Sequence, residues 1–86
     1  MTDTTSVRDT ILAVLSEVLF EPVEALRTEP VLAVHQWDSV ISLEALVRIE
    51  ERLAVSLDLR SYHEAREVDD LVDLVVAAGA SVNVRL

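Results

Sequence analysis

The chain has 86 residues, a formal charge of −9 and no cysteine; sixteen acidic side chains face seven arginines and no lysine. A field of that sign opposes nucleic acid and anionic lipid and favours basic partners. The missing thiols exclude disulfides, thiolate metal sites and cysteine nucleophiles.

A chain this short buries about 60 to 65% of its unfolded surface, enough for one small core and no deep cleft. One domain over residues 1–86 is expected, with a core over about 5–79 and a tail at 80–86. Phe20, Trp37 and Tyr62 are the only aromatic residues among 51% hydrophobic ones, so the core must be aliphatic. One Gly and two Pro argue for helices and against turn-rich β architecture. No apolar run approaches the ~20 residues of a membrane helix. Met1 to Ser6 lack the basic-then-apolar order of a signal peptide. A cytoplasmic monomer is the expectation.

In chain order, Thr4 to Ser6 supply a cap, and Val7, Ile11, Leu12, Leu15, Val18 and Leu19 recur at helical spacing. A first helix is predicted at about 5–19, with Phe20 closing the pattern and Pro22 forbidding continuation. Residues 20–37 form a connection long for so small a domain. Pro22 can open a single helical turn through Leu26. Pro30 breaks anything longer, and Leu26, Val31, Leu32 and Val34 read as scattered anchors. His35 reads as a solvated loop residue. Trp37 is placed where the loop meets the next helix.

That second helix is predicted at 39–53, capped by Asp38 or Ser39. Leu43, Leu46, Ile49 and Leu53 line up inward on a helical wheel, with Val40, Ile41 and Val47 on the flank beside Glu44 and Glu51. Ala54 to Leu59 reads as a short extended link. Residues 60–66 make a brief third helix with Tyr62 and Ala65 inward. The last helix opens near Glu67 or Val68, with Asp69 and Asp70 complementing its positive end. Its stripe is Val68, Leu71, Val72, Leu74 and Val75, and Gly79 ends it. The expected fold is an all-α four-helix bundle.

Three chemistries are open to these residues. A serine hydrolase would need His35 and Asp38 to converge on Ser39, but no Gly-flanked nucleophile turn is present. A metal site would draw on His35, His63, Asp69 and Asp73, yet no ligand spacing of a known kind occurs, and no metal is expected. The third is covalent attachment of a phosphate ester at Ser39. A helix N-terminus carries unpaired N–H groups and partial positive charge, which tolerate a phosphodiester. The bland alternative is that Ser39 is only a helix cap.

The run Trp37-Asp38-Ser39-Val40, continuing through Glu44, Glu50, Glu51 and Leu53, resembles the acyl carrier protein family. The family pattern is Asp-Ser-Leu opening the second helix, then a Glu, then paired acids before an apolar residue. Chain length, acidity, the long first loop and the order of elements agree, and the likeness covers about Val7 to Ala77. Gln36-Trp37 stands where the family often has Leu-Gly, and Val40 replaces Leu. The Trp-Asp-Ser form looks like some free-standing carriers of secondary metabolism and like D-alanyl carriers.

The resemblance implies a bundle of the acyl-carrier type with a short third helix, and a 4′-phosphopantetheine on Ser39, next to Asp38. It implies a carrier and not an enzyme, holding acyl or aminoacyl groups as thioesters in polyketide, nonribosomal peptide or fatty acid biosynthesis. The implied partners are a phosphopantetheinyl transferase, a loading enzyme and downstream synthase enzymes with basic docking surfaces. The expected docking face is Val40, Ile41, Glu44, Val47, Glu50 and Glu51. The competing expectation is an unmodified acidic helical docking module.

Overall fold

The computed structural model describes residues 4–79. The expected tail at 80–86 lies outside the described residues. The chain runs through α1 (Thr4–Leu19), α2 (Val23–Thr28), a 3₁₀ turn (Leu32–His35), α3 (Ser39–Leu53), α4 (Leu59–Glu64) and α5 (Val68–Ala77). The fold is all-α; among the described residues there is no strand, only an isolated antiparallel bridge between Val31 and Glu67.

Four helices were expected; among the described residues five form, plus the 3₁₀ turn. The additional helix lies in the long connection. Pro22 holds extended backbone (φ −67°, ψ 151°) just before α2, and its carbonyl accepts from Ala25 N–H at 3.0 Å. Proline therefore stands one position earlier than expected, and the helix runs past Leu26 to Thr28 before Pro30 ends it. The 3₁₀ turn closes on Gln36 in the left-handed region (φ 59°).

α1 is the central element, packed on α3 and on α5. Val7, Ile11, Leu12, Leu15 and Val18 form its buried stripe, joined by Val14, which the helical spacing did not predict. α3 contributes Ala45, Leu46 and Ile49, and α5 contributes Val68, Leu71, Val72 and Val75. Each of these Val, Leu and Ile side chains stabilises the fold by about 1.5–3 kcal/mol on full burial. Ile49→Ala is expected to cost about 2–5 kcal/mol, which a denaturant titration reads directly.

Ion pairs frame this packing at the surface. Arg8 meets Asp69 at 2.6 Å, joining α1 to the start of α5. Glu17 accepts from Arg48 at 2.9 Å and Arg52 at 2.7 Å, joining the last turn of α1 to the second half of α3. The hydrogen bond from Arg52, helped by Arg48, holds the Glu17 carboxyl below the usual carboxylate range. Such exposed pairs contribute little each.

Phe20 does not close the apolar stripe. It takes the left-handed conformation (φ 57°) after α1 and stands 93% exposed. The turn there is set by the backbone: Glu21 N–H donates to the Ser16 carbonyl at 3.2 Å, and Ser16 Oγ donates to the Glu21 carbonyl. That reversal aims the Phe20 side chain away from the bundle.

The connection at 20–37, a tether between α1 and α3, and the closing helix α5 fasten each other. Leu32 N–H donates to the Arg66 carbonyl at 2.9 Å, and Val68 N–H to the Pro30 carbonyl at 3.0 Å. α4 begins one residue before its expected start and ends two before its expected end. Asp58 caps it, accepting from the backbone N–H and hydroxyl of Ser61, both at 2.9 Å. Gly79 (φ 89°) follows α5, donating to the Val76 carbonyl at 3.0 Å.

Candidate functional site: the start and outer face of α3

α3 occupies the residues its periodicity predicts, 39–53. Asp38 is the cap: its backbone is extended (φ −109°, ψ −179°), and its carboxylate accepts from Ile41 N–H at 2.8 Å. Its carbonyl takes the first helical bond, from Ser42 N–H at 2.8 Å. Ser39 is therefore the first helical residue and not the cap, and it is exposed. The first turn of α3 contains no acidic residue, so within this helix start the Asp38 cap carboxylate alone is set against the positive end beside the Ser39 hydroxyl.

Behind this turn the residues are ordered. Trp37 is half-buried against the core, its ring 6.3 Å from that of Tyr62 with planes at 55°. Tyr62, buried on α4, donates its hydroxyl to the Ser42 carbonyl at 2.6 Å. Burial pushes that phenol up, beyond its ordinary range. α4 thus clamps the first turn of α3 from the core side while the opposite side faces water. Next to Trp37 lies an open groove of about 350 Å³ lined by Val31, Leu32, Ala33, Trp37, Ala65 and Arg66.

The outer face of α3 differs in detail from the wheel. Leu46 and Ile49 are buried and Leu53 half-buried as expected, but Leu43 is 43% exposed. The inward face is instead Ser42, Ala45, Leu46 and Ile49. Small residues at 42 and 45 let neighbouring backbones approach, which a wheel weighted by hydrophobicity misses. Leu43 then joins Val40 (71% exposed) and Val47 (53% exposed) in an apolar strip one helix face wide. The small residues at 42 and 45 were the available signal for it.

The acids around this strip are not equivalent. Glu51 is exposed. Glu44 is exposed but tied to Arg48 at 2.8 Å. Glu50 turns inward: it is half-buried, and its carboxylate accepts from Leu57 N–H at 2.8 Å, holding the link to α4. Ile41 is half-buried against the core. Of the six residues expected on the docking face, Val40, Glu44, Val47 and Glu51 share the exposed surface, while Ile41 and Glu50 serve packing.

His35 overturns the expectation of a solvated loop residue. It is 5% exposed, with Nδ1 2.8 Å from Glu21 Oε1 and Nε2 against the Glu29 carbonyl. Burial is the largest influence and pulls its pKa down; the Glu29 carbonyl and Glu21 carboxylate together outweigh it and raise it above the ordinary 6.5. Both ring nitrogens are committed away from Ser39, so His35 is not placed as a base for that hydroxyl. Asp69 is bound to Arg8, and among the described residues no three His, Asp or Glu side chains converge as a metal site. Among the described residues no helix is long and apolar enough to cross a membrane.

No protein-family model matches this chain, and no curated protein matches it either.

Proposed function

We propose that this protein is a carrier whose Ser39 hydroxyl bears a 4′-phosphopantetheine arm. The observation that carries the reading is the division of labour at the start of α3: Asp38 caps, and Ser39 stands exposed in a first turn that holds no acid of its own. A phosphodiester there gains from the helix field. In the attachment step Ser39 Oγ attacks the pantetheine-bearing phosphorus of coenzyme A. The new O–P bond forms, the pyrophosphate bridge breaks, adenosine 3′,5′-bisphosphate leaves, and the serine proton goes to the transferase's base.

The arm's thiol then carries an acyl or aminoacyl group as a thioester, and the chain itself performs no chemistry. The arm raises the local concentration of cargo at whichever enzyme is docked. The strip Val40–Leu43–Val47 with Glu44 and Glu51 is the docking face for the phosphopantetheinyl transferase, the loading enzyme and the synthase enzymes. Its apolar centre and acidic rim fit arginine- and lysine-rich surfaces. The groove beside Trp37 gives the arm an apolar surface to rest on. In this reading the three longer helices, short α4 and long first connection make a bundle of the acyl-carrier type.

The test is an intact mass after incubation with coenzyme A and a promiscuous phosphopantetheinyl transferase. One added phosphopantetheine, abolished in Ser39→Ala, is the expected result; no addition to the unsubstituted protein overturns the reading. The exposed strip on α3 exists whatever happens at Ser39, so absence of the adduct would favour an unmodified helical docking module.

A further inference from the structure

We infer that His35 is a proton-sensitive positioning residue: as an imidazolium bonded to Glu21 and Glu29 it fixes the tether that presents Ser39. The inference rests on the carrier reading only for what Ser39 is used for.

The argument begins with donors and acceptors. A neutral imidazole has one N–H and one lone pair. Nδ1 faces the Glu21 carboxylate at 2.8 Å, and Nε2 faces the Glu29 backbone carbonyl. Both partners accept. A neutral ring would turn a lone pair on one of them, and burial leaves little room for water to intervene. The protonated ring satisfies both. Glu21, after α1, and Glu29, at the end of α2, are the charged groups that act on the ring. Both are acids, and both favour the cation.

The placement gives this proton leverage. The bonds span 14 and 6 residues of chain. One cation therefore joins the exit of α1, the end of α2 and the 3₁₀ turn. The chain then reverses through Gln36 in the left-handed region and enters Trp37, the cap Asp38 and Ser39. A ring that loses its proton must release one partner, and the segment leading to Ser39 loses an anchor four residues upstream.

Nitrogen-15 NMR of the unsubstituted protein, with His35 assigned through H35Q, tests this. The expected result is an imidazolium signature for His35 at pH 6 and a single titration above pH 6.5. The backbone amides of residues 21, 29 and 36–39 should move with the same midpoint, and Glu21→Gln should lower it. A neutral His35 ring at pH 6, or a titration that leaves 36–39 still, overturns the inference.

Rates of arm addition give a second readout. The unsubstituted protein should be modified several-fold faster than H35Q at acidic pH, and the ratio should shrink toward one above the His35 midpoint. Because each ratio is taken at one pH, the transferase's own titration cancels. A ratio constant with pH overturns the inference. If neither protein accepts an arm, the carrier reading fails and the NMR titration alone decides the role of His35.

Discussion

Two helix beginnings in this protein are built from the same vocabulary and left in opposite states. At α5, the Asp70 carboxylate accepts from the Arg66 and Glu67 N–H groups at 2.9 and 3.0 Å, Asp69 pairs with Arg8, and Val68 N–H is bonded to the tether. Two acids in the first turn offset the positive end. At α3, one carboxylate caps and the first turn holds Ser39, Val40 and Ile41, with no acid among them. The first beginning is closed by the protein's own groups. The second is capped by a single carboxylate and leaves Ser39 exposed in its first turn.

The largest way to break the comparison is to remove the hydroxyl. Ser39→Ala should abolish arm addition completely yet change stability by less than about 0.5 kcal/mol, because no cap is lost. Calorimetry alongside mass spectrometry checks both halves. Next in size is Tyr62→Phe, which removes the second hydrogen bond to the Ser42 carbonyl behind the same turn, the helical one remaining, and should cost about 0.5–1.5 kcal/mol. A chemical denaturation midpoint measures it.

Smaller effects sharpen the contrast. Asp38→Ala and Asp70→Ala should each cost about 1 kcal/mol as lost caps. Only Asp38→Ala should also slow modification of Ser39; equal slowing by both would erase the distinction between the two helix starts. The tether adds a pH dependence. Folding raises the pKa of His35, so the folded state holds this proton more tightly than the unfolded chain. The stability it supplies is complete below about pH 6.5 and is lost as pH climbs through the higher folded value. Thermal midpoints of the unsubstituted protein should fall across that window relative to those of H35Q. Least of all, Glu51→Arg should leave the fold intact and slow docking-dependent loading at low salt, with the difference fading as salt rises.

The helices themselves were legible. α3 was readable to the residue, because an Asx cap preceded an unbroken 3.6-residue period. α5 was readable from its acidic first turn and valine stripe. The tether was not. α2 outran its single predicted turn, and the 3₁₀ turn left no periodic signal. The burial of His35 comes from residues 21, 29 and 35 meeting in space, which no local pattern encodes. At the site, Asp38, Ser39, Val40 and Val47 were placed from spacing. Leu43 was turned the wrong way because side-chain size, not hydropathy, chose which stripe of α3 faces α1. Glu50 was counted with the docking acids because an i-to-i+7 bond to Leu57 N–H is invisible before the link folds back.

Because α3 is tied off by Asp38 and clamped by Tyr62, an ester made or broken at Ser39 Oγ severs nothing that the scaffold relies on. In the carrier reading, empty and charged forms would share one outline. Enzymes downstream would have to tell them apart by touching the arm and its load, since the helical body announces neither.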